Sequence, residues 1–436
     1  MHFDKIFDFM KVYRQRIADK VLERKLQSSG LVVVEGAKWC GKTTTAEQMA
    51  GSVVYMNDPK KKDMLRQLVE TDPQVLLEGA VPRLVDEWQD TPKLWDAARF
   101  EADHRDEMGQ FIFTGSAVPG EREEEDIEHS GTGRASWLLM RPMSLWESGE
   151  SDGKVSLRDL FEKGLERACA VQEKRLAELA YLVCRGGWPA FLKTTREGAL
   201  DLAANYVDAV TKRDISRVDG VKRDAAFARR LLRSLARHQG TQAAISTIYK
   251  DLEANEGGSM SEDTISSYLQ VLRRIFVVED MPAWNPSLRS KSAIRTSDTR
   301  YFVDPSIGAA ALGVGPEDLM GDLSTMGLLF EALCVRDLRV YADALGGDVF
   351  HFRDRNGLEC DAVVHLRNGR FGLVEIKLGG ESLIEAGAST LKSLAGKIDT
   401  ERMREPSFLM VLTGTGEYAY RRDDGVLVVP IGCLKD

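Results

Sequence analysis

Leu31-Val32-Val33-Val34-Glu35-Gly36-Ala37-Lys38-Trp39-Cys40-Gly41-Lys42-Thr43, continued by Thr44-Thr45-Ala46-Glu47-Gln48-Met49-Ala50, is the stretch on which the reading of this chain turns. Its opening residues are apolar and mostly β-branched, which predicts a buried strand. A glycine-bounded turn follows, and after it a run free of Gly and Pro that predicts a helix. Strand, loop and helix is the order a phosphate-binding loop requires, and Gly36 to Thr43 fits G-x-x-x-x-G-K-[ST] at every fixed position. The glycines permit the turn that aims backbone N–H groups at phosphate oxygens, while the helix presents its positive N-terminus. Lys42 is placed to reach β- and γ-phosphates and Thr43 to hold Mg²⁺ through its hydroxyl. Gly36, Ala37, Lys38, Trp39, Cys40, Gly41, Lys42, Thr43 and Thr44 form the candidate nucleotide cradle.

Working outward, Pro82-Arg83-Leu84-Val85-Asp86-Glu87 is an apolar strand that ends in adjacent carboxylates. Such a pair gains meaning from the loop upstream. Asp86 is expected in the Mg²⁺ shell, and Glu87 is expected to orient and activate the attacking water. Phe111-Ile112-Phe113 then delivers Thr114-Gly115-Ser116 to the C-terminal edge of the sheet, where Thr114 or Ser116 would act as a sensor of the γ-phosphate or its water, or serve only as a turn. Apolar runs at 52–56, 83–85 and 110–113 alternate with polar helical segments, which predicts a parallel sheet with helices on both faces. Upstream, residues 3–27 read as an amphipathic helix closed by Ser28-Ser29-Gly30.

The rest of the chain divides by pattern. The expected units are an N-terminal helix (1–28), an α/β phosphate-loop domain (29–148), a helical connector (149–222), a winged-helix-like domain (223–310) and a C-terminal α/β domain (311–436). Gly186-Gly187-Trp188-Pro189 interrupts the connector. Helical patterns at 225–238, 243–252 and 262–275, followed by strand-like 276–278 and 301–303, give the order of a winged helix-turn-helix. In its third helix Ser266, Ser267 and Gln270 are expected outward and Leu269, Leu272 and Ile275 inward. Beyond residue 323 a helix leads into strands with hairpin turns at Asn356-Gly357 and Asn368-Gly369. Glu375 and Lys377, spaced by two, share one face of a strand. Asp361 on the preceding strand is placed to meet Glu375, and Glu331 on the upstream helix offers a third carboxylate. Glu…Asp…Glu-x-Lys is the arrangement of restriction-endonuclease-like folds, with acidic metal ligands and a lysine that polarises water; the alternative is a solvated strand face.

At 436 residues, 43% hydrophobic and 29% charged, the chain has the composition of an ordinary multi-domain globular protein. It has no apolar run of membrane-spanning length and its first residues lack a secretory pattern, so a cytoplasmic location is expected. The scattered cysteines form no C-x-x-C pair, which excludes a zinc knuckle or dithiol motif. The net charge of -9 excludes a uniformly basic nucleic-acid coat. Residues 225–300, with 11 basic and 8 acidic side chains, form a region of positive balance.

The residues quoted, together with Gly131 to Pro142, Gly186 to Pro189, Asp304-Pro305-Ser306 and Val374 to Leu378, resemble the AAA-type ATPases of bacteria and archaea that carry a winged helix and a C-terminal domain of unknown function. The resemblance spans nearly the whole chain. It implies ATP, with Mg²⁺, rather than GTP, and no N-K-x-D guanine-reading motif is present. Arg134, Arg141 and Arg217 are the candidates for an arginine finger. The expected function is an ATP-binding and ATP-hydrolysing molecular switch with winged-helix and nuclease-like accessory domains. The alternatives are an ATP-regulated metal-dependent nuclease and an ATP-binding signalling or interaction protein. Expected partners are ATP and either DNA or another protein, with homo-oligomer assembly open and no membrane.

Overall fold

Leu31 and Val33 point to one face of a five-stranded parallel sheet and Val32 and Val34 to the other, as the two-residue period of a strand dictates. All four are buried, because helices cover both faces. The computed structural model describes residues 13–117, 133–165, 168–171, 174–258, 260–289, 294 and 296–436. The start of the expected N-terminal helix, the acidic run Glu121 to Asp126 and residues 131–132 lie outside them. The described chain forms two compact units, Met1–Met140 with Trp188–Leu202, and Arg141–Gly187 with Ala203–Asp436. The segment read as a connector, 149–222, is thus divided between both.

In the first unit the strands are β1 (Leu31–Glu35), β2 (Ser52–Tyr55), β3 (Arg83–Asp86), β4 (Phe111–Gly115) and β5 (Ala135–Leu139), ordered β2-β3-β4-β1-β5. Leu31, Val33, Val85, Phe111 and Phe113 pack under the helices 62–71, 74–77 and 94–105, with Trp88 and Trp95 completing that core. Helices Ile17–Leu26 and Lys42–Glu47 lie on the opposite face. The register Val34↔Thr114 and Asp86↔Thr114 aligns the C-terminal ends of β1, β3 and β4, so the residues following them meet at one edge. Edge strand β5 ends in the apolar Trp-Leu-Leu, yet of its Ala-Ser-Trp-Leu-Leu Leu138 alone is buried and Trp137 is exposed.

The second unit contains β6 (Val155–Ser156), β7 (Cys169–Ala170), β8 (Val278–Met281), β9 (Thr299–Phe302), β10 (Gly347–Arg353), β11 (Glu359–Leu366), β12 (Phe371–Lys377), β13 (Leu409–Thr413), β14 (Tyr418–Arg421), β15 (Leu427–Pro430) and β16 (Leu434–Lys435). Helices Ala225–Arg237, Ile245–Asn255 and Glu262–Arg274 precede the antiparallel pair β8–β9. In the third helix Leu269, Leu272 and Ile275 are buried and Ser266, Ser267 and Gln270 exposed, matching the predicted faces. The helix Leu323–Leu345 leads into the meander β10–β11–β12, and Glu381–Lys397 crosses to β13, which joins β12 in parallel. The full sheet, β10-β11-β12-β13-β15-β14-β7, takes its last strand from residues 169–170, far upstream of the expected boundary at 311.

The glycine pair that interrupts the connector has a packing reason. A Cβ on Gly187 would lie 2.2 Å from the Met143 carbonyl oxygen, and one on Gly186 would lie 2.3 Å from Asp304 Oδ1. Asp304 accepts Gly187 N–H at 2.9 Å and pairs with Arg336 at 2.9 Å, and Arg336 also pairs with Asp337. These charges are buried but mutually satisfied, the condition under which burial of ions is tolerated. The six cysteines are free thiols. Among the described residues no helix is long and apolar enough to cross a membrane.

Candidate nucleotide site

The loop between β1 and the Lys42–Glu47 helix has the backbone its glycines were selected for. Gly36 has φ 145° and Gly41 φ 106°, conformations that L side chains rarely adopt. At Gly36 the reason is also steric, since a Cβ there would lie 2.1 Å from the Met140 carbonyl oxygen. Lys42 is buried, and its Nζ donates to the carbonyls of Gly36 and Ala37 at 2.8 Å each, so the ammonium is held over the loop. Ala37 and Cys40 are buried, and Cys40 Sγ lies 3.3 Å from the Met140 carbonyl oxygen. Lys38 and Thr44 lie on the same loop and helix start, whereas Trp39 is 53% exposed with φ 66°.

The acidic strand end meets the loop. Asp86 Oδ1 accepts hydrogen bonds from Thr43 Oγ1 at 2.6 Å and from Thr114 Oγ1 at 2.7 Å. A hydroxyl beside a carboxylate is an oxygen donor set suited to Mg²⁺, which keeps several waters and takes few protein ligands. Glu87, whose own backbone is left-handed with φ 58°, makes separate contacts. Its Oε2 accepts from Ser116 Oγ at 3.0 Å and from the amide of Gln89. Thus Thr114 and Ser116, read as alternatives, hold different carboxylates. Glu35, at the end of β1, has its carboxyl pushed up to about 7 by burial.

Gln89 was not singled out in the sequence. It stands two residues after Glu87, and only the turn at Glu87 brings it back to the carboxylate. Its space comes from Gly115, where a Cβ would lie 2.9 Å from Gln89 Oε1 and 3.0 Å from Trp88 Nε1. Arg16, Tyr13 and Asp19 were missed as well, and they reach the loop from the segment entering the Ile17–Leu26 helix. Among the arginines considered as fingers, Arg134 pairs with Asp103 at 2.5 Å. Arg141 is buried between Glu279 and Asp343, each at 2.6 Å, and Arg217 ends the short helix Ile215–Arg217.

A second polar cluster lies in the other unit. The β11–β12 register pairs Ala362 with Val374 and therefore sets Asp361 opposite Glu375. Lys377 Nζ lies 2.7 Å from Glu375 Oε2 and 3.1 Å from Asp361 Oδ2, which also accepts Ile376 N–H at 2.7 Å. Glu331 accepts the Tyr301 hydroxyl at 2.6 Å, and no sequence signal pointed to that tyrosine. Burial, and then the charge of Asp361, raise both Glu331 and Glu375 to about 8. Burial opposes the charge of Lys377, but Asp361 and Glu375 outweigh it and hold the lysine above its usual range. Among the described residues no group of three or more His, Cys, Asp or Glu is arranged to hold a metal ion.

Comparison with known proteins adds to this geometry. Residues 28–148 match the model of an AAA domain. Residues 176–318 match a domain of unknown function (DUF8612), and residues 326–434 match another (DUF4143). No curated protein matches the chain. Among solved structures it is similar to the Walker-type ATPase PABY2304 of Pyrococcus abyssi, at 14% identity over 70% of this chain and 99% of that one, with a TM-score of 0.41. It is also similar to the Aeropyrum pernix ORC2 protein in ADPNP-ADP complexes, at 13% identity over 71% of this chain and 93% of that one, with a TM-score of 0.28. The Aeropyrum pernix ORC1 protein in complex with DNA matches at 13% identity over 72% of this chain and 95% of that one, with a TM-score of 0.22. By the family match, residues 28–148 form an AAA-type domain, a class that binds ATP.

Proposed function

We propose that the chain is an ATP-hydrolysing molecular switch in which Gly36 to Thr44 hold the phosphates, Thr43 and Asp86 the Mg²⁺, and Glu87 the attacking water. The observation that carries it is the convergence of Thr43 and Thr114 on Asp86 beside a separately held Glu87. Phosphoryl transfer needs little covalent chemistry from a protein; it needs positioning and charge neutralisation. Bound Mg²⁺ supplies the neutralisation of the β- and γ-oxygens. Lys42 adds a second cation on leaving the carbonyls of Gly36 and Ala37 for phosphate oxygens. Glu87 accepts a proton from water, and Ser116 and Gln89 fix where that carboxylate stands.

The three helices with β8–β9 support the reading of residues 223–310 as a winged helix, and Leu323–Leu345, β10–β12, Glu381–Lys397 and β13 support a restriction-endonuclease-like C-terminal domain. In this account both respond to nucleotide state, with DNA or a protein as the partner. Titration of fluorescent ATP in Mg²⁺ tests the first step. Lys42→Ala is expected to bind about 10- to 100-fold more weakly than the unaltered chain, the scale of a lost charge-assisted contact. Equal affinity would remove the loop from the site.

A metal-dependent nuclease is the second reading, favoured by the buried Glu375 carboxyl standing beside Asp361, whose charge helps hold it above its usual range. Lys377 is paired to both carboxylates, and no three-ligand set is formed among the described residues. Incubation of linear DNA or RNA with Mg²⁺ or Mn²⁺, with and without ATP, decides it. Cleavage lost in Asp361→Asn would establish the nuclease; intact substrate under every condition would leave a structural cluster.

A further inference from the structure

The phosphate loop is gripped by residues just before and in the first turn of the Ile17–Leu26 helix. Arg16 is 5% exposed and donates Nη1–H to the Cys40 carbonyl at 2.8 Å. Its guanidinium runs on past Gly41, where a Cβ would lie 3.3 Å from Nη1. Asp19 fixes the backbone from which this arginine reaches: one carboxylate oxygen accepts the Arg16 backbone N–H at 2.9 Å, and the other accepts the Tyr13 hydroxyl at 2.5 Å. The same hydroxyl lies 2.8 Å from Oγ1 of Thr45, a buried residue in the helix that follows the loop. Tyr13, Arg16 and Asp19 thereby join the loop to the start of its helix.

The consequence follows from peptide geometry. The Cys40 carbonyl and the Gly41 N–H belong to one planar trans unit and point in opposite directions. A donor that fixes the carbonyl on the outside fixes the N–H toward the inside, where a phosphate-binding nest needs it. Without Arg16 that buried carbonyl would lose its charged donor, and Gly41, free to adopt many backbone conformations, would let the peptide rotate.

We propose that Arg16, anchored by Asp19 and Tyr13, is a positioning residue that aims the Gly41 N–H into the phosphate site. The inference rests on the nucleotide-binding reading above. Because Arg16 acts through the loop, its loss should weaken ADP and ATP by the same factor and leave the chemical step alone. Its test is a titration of the full-length chain with fluorescent ADP and ATP, with kcat at saturating ATP and the melting temperature taken on the same samples. Arg16→Ala is expected to bind both nucleotides about tenfold more weakly, with kcat within about threefold, and Arg16→Lys, which keeps a cationic donor, to recover part of the affinity. Tyr13→Phe removes only the link to Thr45 and Asp19 and should weaken both nucleotides by a smaller factor; it decides the matter if Arg16→Ala does not fold. Failure of the unaltered chain to bind nucleotide would overturn the nucleotide reading itself. Tight binding by that chain, with equally tight binding by the variants and only a lowered melting temperature, would overturn the role of Arg16 alone. A fall in kcat without a change in affinity would overturn it too.

Discussion

Glu87 occupies a left-handed backbone conformation that costs a residue with a side chain free energy, so its surroundings must hold it there. Two donors do so, Ser116 Oγ and the Gln89 amide, and both act on the same carboxylate oxygen. Removing either should lower kcat for ATP about tenfold with KM within about twofold, since a hydrogen bond to a charged group is worth ~1.5 to 3 kcal/mol. Steady-state kinetics of Gln89→Ala and Ser116→Ala check this; a rise in KM at constant kcat would assign both to binding. The loop from Gly36 to Thr43 was legible in the sequence because each fixed position answers a local backbone demand. Gln89 was not, because its role depends on a turn that folds residue 89 back onto 87 and 116.

Among the elements, the β11–β12 hairpin carries a charge cluster with a pH signature. Glu331 and Glu375 hold protons up to about 8 when folded, through burial and the charge of Asp361, whereas an unfolded glutamate releases its proton near 4.5. Between those values the folded state binds more protons, so stability falls as pH rises and the loss is complete above about 8. Glu375→Gln, neutral at every pH, should match the unaltered chain near pH 4 and melt increasingly above it as pH rises, with the gap widest near pH 8.5. Thermal melts of both proteins across that range test the sign, and a difference that does not change with pH would contradict it. The hairpin itself could be read from Asn356-Gly357 and Asn368-Gly369, and the facing of Asp361 and Glu375 followed from register. Short or edge strands such as β5, β6 and β7 could not be read. β6 and β7 are two residues long and β5 buries Leu138 alone, and each forms because a neighbouring strand offers its hydrogen bonds.

At the scale of the molecule, the α/β class and the order of its parts were visible in the alternation of apolar runs and helical segments. The folding units were not, because contacts distant in sequence draw them: Gly187 with Asp304, and β7 with β14. The region of positive balance also changes meaning, since Arg237 pairs with Asp251 and Glu256, Arg233 with Glu256 and Arg273 with Asp280. Much of that charge is neutralised locally, and a nucleic-acid face is not read from it. The central claim, that this chain turns over ATP through Glu87, is tested most directly by phosphate release from the Glu87→Gln variant set beside its affinity for ATP. The account predicts affinity within about threefold of the unaltered chain and turnover lower by about 100-fold or more, the scale of a lost general base. Turnover equal to that of the unaltered chain would contradict it.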